Sequence, residues 1–194
     1  TENKEMLAKF IRKEVTEEEF VLDDIRLWRD VQPEIHRDDI MRCYSGIKLM
    51  PGAREVVEEL QNRGILVAIV SSGVDLLIGT IANMLKVNDW AANGFEWDEE
   101  GWLIGSKPTV VQSHDKGIMV KKFANINSID PSHIVSVGDS GPDLSMMIPG
   151  SRFIGFNPAP NRGAEDFVKA GVPIVEGQDL RGIWEPMFGE KFPK

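Results

Sequence analysis

At 194 residues the chain is long enough for one sizeable core, or one core with a small accessory domain, and too short for two full domains of ordinary size. Its 42% hydrophobic and 27% charged shares are those of a folding globular protein and exclude the disordered class, and no apolar run approaches the roughly 20 residues of a membrane-spanning helix. With 22 basic against 31 acidic side chains the net charge is -9, which repels a phosphate backbone and excludes nucleic acid as an expected partner.

From Glu2 to about Gly46 the spacing predicts helices throughout: Met6, Leu7, Phe10 and Ile11 share one face, and Phe20, Ile25, Leu27 and Trp28 recur at helical intervals. Thr16-Glu17-Glu18-Glu19 has the form of a capping box opening the second helix. Pro51-Gly52 then interrupts the chain, placing a domain boundary near Met50, and Val56, Val57 and Leu60 mark a helix that stops at Gly64.

The continuous apolar run Ile65 to Val70 predicts a parallel strand buried on both faces, ending in Ser71-Ser72-Gly73. A helix from about Val74 to Lys86 follows. Phe95 to Ile104 reads as a hairpin turning at Asp98-Glu99-Glu100-Gly101, a satellite of the main sheet. Then come a helix over Lys116 to Ala124 and strands at His133 to Val137, Arg152 to Phe156 and Val172 to Val175, with helices between. The alternation predicts an α/β fold: a Rossmann-like parallel sheet with helices on both faces over residues 50–194, and a small helical cap over 1–49. Cys43, the single cysteine, cannot form an internal disulfide and is expected inside the cap. With no secretory pattern opening the chain, a reducing cytoplasm is the expected location. Met146 and Met147 are expected in the core, the tryptophans as packing, and the dispersed His36, His114 and His133 as structural or surface groups.

Chemistry concentrates where strands end. Asp139 follows Ile134-Val135-Ser136-Val137-Gly138 directly, and Asp143 comes four residues later. Gly138 is expected to let the backbone turn so that the Asp139 carboxylate projects beyond the sheet. Two carboxylates on one loop make a hard oxygen site of the kind Mg2+ prefers; the alternative is that both merely cap the helix around Leu144 to Met147. Ser71 stands between a strand and a helix, where its hydroxyl and the neighbouring amides suit a phosphate oxygen, or where it is simply an N-cap. Lys116 opens a helix, opposing the helix dipole, which suits neutralisation of an anion; the ordinary reading is a solvated lysine.

A serine after one strand, then a helix-initial lysine, then Gly-Asp after another strand with a second Asp four residues on, resembles the haloacid dehalogenase superfamily, and within it the phosphoserine phosphatases most closely. The resemblance is carried by Met50-Pro51-Gly52-Ala53, Val70-Ser71-Ser72-Gly73-Val74-Asp75, Asp115-Lys116-Gly117, Val137-Gly138-Asp139 through Met146, and Phe156-Asn157-Pro158. It implies a Mg2+-dependent phosphatase of small phosphorylated metabolites. Ser71, with Ser72 and Gly73, would bind the phosphoryl group, Lys116 would orient it, Asp139 would ligate the metal, and Asp143 would support the metal shell. Residues 1 to about 46 would form a cap selecting the leaving group, where Arg26 or Arg29 would pair with a substrate carboxylate. Two positions depart from the family pattern: Ser72 stands where glycine is frequent, and Pro142 where asparagine is common. The family's nucleophile belongs to an Asp-x-Asp strand upstream of the cap. Asp23-Asp24, adjacent carboxylates in a helical stretch, are a poor substitute, so that strand is expected before Thr1; a strand lacking the motif would instead make the protein a silent binding module.

Overall fold

The computed structural model describes residues 2–158 and 163–193. Three helices open the chain, α1 (Glu2–Ile11), α2 (Glu17–Val31) and α3 (Arg37–Cys43). The capping box is formed: Glu19 N–H donates to Thr16 Oγ1 at 3.1 Å, and Thr16 N–H to the Glu19 carboxylate at 2.7 Å, so two orphan amides are satisfied. Phe10 stacks on Phe20 at 4.8 Å and closes α1 against α2.

The rest runs α4 (Ala53–Asn62), β1 (Ala68–Val74), α5 (Asp75–Leu85), β2 (Asp89–Asn93), β3 (Phe95–Trp97), β4 (Leu103–Ser106), α6 (Gly117–Ile126), β5 (Val135–Gly138), β6 (Arg152–Phe156), α7 (Glu165–Ala170), β7 (Ile174–Val175) and α8 (Trp184–Phe188). Strands β1 and β2 pair in parallel, as do β5, β6 and β7, in that order. Side chains alternate across the second group. Val135, Val137, Ile154 and Phe156 meet Val56 and Leu60 of α4 and Trp184 of α8, whereas Phe153 meets Val120 of α6 and Phe167 of α7. Helices therefore cover both faces, as the alternation of apolar strands and amphipathic helices predicts.

Several expectations need correction. The strand after α4 is displaced toward Ser71, covering Ala68 to Val74; no residue in it is buried, and Leu66 just before it is 47% exposed. The cause is pairing: β1 has β2 as its one ladder partner and β5 has β6, and no ladder joins β1 to β5 among the described residues. Val67, Val135 and Val137 nevertheless pack against one shared cluster, so the two unpaired edges border the same core.

Asp89–Asn93 forms a strand that the elements read from the sequence do not include, its short Trp90-Ala91-Ala92 run being flanked by asparagines and aspartates. His133 lies in a 3-10 turn (Pro131–His133), not in the strand it precedes. Cys43 is exposed on its short helix, and Met147 is exposed while Met146 is buried, since the turn carrying them shows the core one face only.

The hairpin β3–β4 belongs with the N-terminal helices more than with the sheet. Phe95 and Leu103 share a buried cluster with Ile25 and Ile35. Leu103 N–H donates to the Ile35 carbonyl at 2.8 Å, and the Arg29 guanidinium to the Leu103 carbonyl at 2.7 Å. Glu17 adds a link from α2 to the core, its carboxylate accepting from Ser113 N–H at 3.0 Å and Ser113 Oγ at 2.7 Å.

Candidate active site

Lys116 occupies the N-cap position of α6, and its ammonium donates to Asp143 Oδ1 at 2.6 Å. Both side chains are nearly enclosed, 12% and 6% exposed. A lysine at a helix N-terminus opposes the dipole, and the anion that offsets it here is Asp143. The other carboxylate oxygen, Oδ2, accepts from Asp139 N–H at 3.1 Å, Ser140 N–H at 3.0 Å and Ser140 Oγ at 2.8 Å. Burial by itself raises the Asp143 pKa, but the Lys116 contact and the Ser140 donors outweigh it and hold the carboxyl below the ordinary aspartate value.

Two glycines allow this approach. A Cβ on Gly138 would strike Asp143, whose side chain folds back over the strand end, and a Cβ on Gly117 would strike the Ser145 carbonyl. Gly138 is therefore required for close approach, and the turn after it is made without a positive φ. Ser145 completes the join: its hydroxyl accepts from Lys116 N–H at 2.9 Å and donates to the Pro142 carbonyl at 2.7 Å. Pro142 sits in the first turn of the 3-10 segment Gly141–Met146, where its missing N–H costs nothing.

Asp139 follows β5 directly and is exposed, and among the described residues its carboxylate has no hydrogen bond or ion pair. The two aspartates thus divide. The cap-like role weighed for both falls to Asp143 alone, which ties down the loop, while Asp139 stays open to a ligand. Ser71 lies within β1, at an irregularity between Val70 and Val74, and four residues before α5 begins at Asp75. It is not the helix N-cap; instead its Oγ accepts from Gly73 N–H at 3.1 Å, closing a tight turn over Ser72. Asp75 pairs with Lys107 at 3.0 Å.

Arg26 lies on the exposed face of α2, where Asp23 and Asp30 pair with it at 3.1 and 3.3 Å. Ser140, Ser145 and Asn93 were not singled out from the sequence. The serines flank Asp143 as ordinary loop residues, and Asn93, a buried polar residue closing an unread strand, carried its signal in the Ala91-Ala92-Asn93-Gly94 transition.

Parallel strands with helices on both faces define the class, a doubly wound α/β protein. The family profile of haloacid dehalogenase-like hydrolases matches residues 7–147, and the chain belongs to that family. Among curated relatives, phosphoserine phosphatase of Methanocaldococcus jannaschii is 34% identical over 134 residues, 68% of this chain and 60% of that protein. Phosphoserine phosphatase of Archaeoglobus fulgidus is 29% identical over 153 residues, 78% of this chain and 43% of that protein. The chain spans about half the length of the curated relatives it matches. A solved phospho-aspartyl intermediate analogue of phosphoserine phosphatase superposes with a TM-score of 0.76 at 26% identity, covering 96% of this chain and 85% of that one.

Proposed function

We propose that this chain forms the greater part of a phosphomonoester hydrolase of small phosphorylated metabolites, with phosphoserine the leading substrate. The observation that carries the reading is the enclosed Lys116–Asp143 pair beside an open Asp139 carboxylate. Lys116 has three donors and spends one on Asp143, so the remaining two are available to phosphoryl oxygens. Asp143 holds the ammonium in place; Ser71, Ser72 and Gly73 offer a hydroxyl and a tight backbone turn at β1.

The donor set also suits Mg2+, which takes one or two carboxylates and completes its shell with water and substrate phosphate. Asp143 is fully engaged, which supports Asp139 as the group that would ligate the metal directly, with Asp143 supporting it through the loop. Bound there, magnesium would neutralise charge developing on the transferred phosphoryl group.

The attacking group would come from a further parallel strand between β1 and β5, and the unpaired edges of those strands on one shared core support such an arrangement. An aspartate on it would attack phosphorus to give an aspartyl-phosphate, with a second aspartate protonating the leaving alcohol and then activating water. Residues 1–49, joined by the hairpin β3–β4, would form the cap over the site. The preference for phosphoserine leans on the relatives' names; Arg26 already has Asp23 and Asp30 beside it, which weakens its case as the carboxylate-binding cation.

The test is phosphate release by the protein carrying its upstream strand. Release should require Mg2+ and fall at least about 100-fold in Asp139→Asn. Activity indifferent to the metal would sink the reading, and a panel of phosphomonoesters with no preference for phosphoserine would overturn the substrate assignment alone.

A further inference from the structure

Strand β1 leaves its ladder at the turn that the proposed function uses. Val70 pairs with Ala91 and Val74 with Asn93, so Ser71, Ser72 and Gly73 stand opposite Ala92 alone. A backbone ladder cannot serve three residues with one partner, and the extra residues need donors from elsewhere. One comes from Asn93, which ends β2 and is 9% exposed: its Nδ2 donates to the Ser72 carbonyl at 3.3 Å.

The same side chain holds a second segment. Nδ2 also donates to the Val111 carbonyl at 2.9 Å, while Oδ1 accepts from Val110 N–H at 2.9 Å and Val111 N–H at 2.8 Å. Two donors and two acceptors are all that a primary amide offers in this geometry, and all are used. Val111 is 1% exposed and packs with Met119, three residues beyond Lys116 on α6. Aspartate would face two carbonyls without a donor, leucine would leave four backbone groups unpaired, and glutamine is one methylene too long for the same bracket.

We propose that Asn93 is a positioning residue that holds the Ser71–Gly73 turn in fixed register with the start of α6, so that the Ser71 hydroxyl and the Lys116 ammonium meet one phosphoryl group. This rests on the reading of Ser71 and Lys116 as phosphate-binding groups. Asn93 touches no substrate; it acts through the Ser72 carbonyl on one side and the Val110–Val111 segment on the other.

The experiment uses the full-length protein with Mg2+ and follows KM together with inhibition by inorganic phosphate. Asn93→Ala should raise both constants about tenfold, roughly the worth of one lost hydrogen bond, and so should Ser71→Ala. The double variant should lose little beyond the worse single one, because both changes disable one turn. Val56→Ala, a core change under β5 and β6, should lower Tm and leave both constants alone; a matching rise there would make the Asn93 effect a general loss of stability and overturn the proposal, as would a hundredfold, additive loss in the double variant. Amide hydrogen exchange reads the bracket without any turnover: Asn93→Ala should speed exchange in residues 70–76 and 109–117 and leave 152–156 protected. Unchanged exchange in 70–76 overturns the proposal, whereas a wild-type protein with no phosphatase activity counts against the functional reading and leaves the exchange result to judge Asn93.

Discussion

Two parallel strands, the central β6 and the edge strand β1, are buried very differently. In β6, flanked by β5 and β7, Phe153 through Phe156 are all buried; in β1, with β2 as its single partner, no residue is. The proposed site straddles the difference. Its Lys116–Asp143 half is anchored on the well-covered group, with every oxygen of Asp143 bonded, and its Ser71 half hangs on the open edge, held by a serine hydroxyl and one asparagine. Charge is enclosed where packing is dense, and the Ser71–Gly73 turn lies where packing is thin.

The widest separation should come from truncating a core side chain in each group. Phe153→Ala should cost about 3–5 kcal/mol in urea denaturation, and Val70→Ala about 1 kcal/mol, because the second removes fewer and half-exposed contacts. Comparable losses would show that the open edge of β1 does not matter to stability.

Next in size is Asp143→Ala. It strands an ammonium that is 12% exposed without its carboxylate and should cost about 3 kcal/mol, whereas Asp139→Asn should leave the denaturation midpoint nearly unchanged while removing activity. Equal destabilisation by the two variants would erase the division of labour between the aspartates.

The depressed Asp143 pKa adds a pH signature. A carboxyl that is more acidic in the folded state stabilises fully above its unfolded value of 3.8, and that contribution disappears as pH falls from there through the lower folded value. Wild type should lose stability steeply in that window, and Asp143→Asn should show a shallower acid limb. The smallest effect belongs to Ser71→Ala, which removes one hydrogen bond from a partly exposed turn and should cost under about 1 kcal/mol, well below the Asp143 variant.

Much of this could be read from sequence because the decisive signals are local. The Thr16–Glu19 box, the helix ending before Gly64 and the order of Ser71, Lys116 and Asp139 all depend on spacing along the chain. What escaped depends on contacts between distant segments. The roles of the two aspartates separated only once α6 brought Lys116 onto the loop. The apolar run at Ile65 to Val70 promised burial on both faces, but burial is decided by a neighbouring strand that the run itself does not specify. Likewise β3–β4 looked like an appendage of the sheet, and the Ile25 and Ile35 contacts that tie it to the N-terminal helices lie some 70 residues away in the chain.

Asn93 also sets a chemical lifetime. It is followed by Gly94, whose unhindered backbone nitrogen attacks an asparagine side-chain carbonyl readily, expelling ammonia to give a succinimide that water opens to aspartate or isoaspartate. That attack requires the amide to rotate away from Ser72, Val110 and Val111, and four hydrogen bonds oppose the rotation. Ammonia loss at this position, followed as a one-dalton gain in the peptide that contains it, therefore counts how often the bracket opens over days.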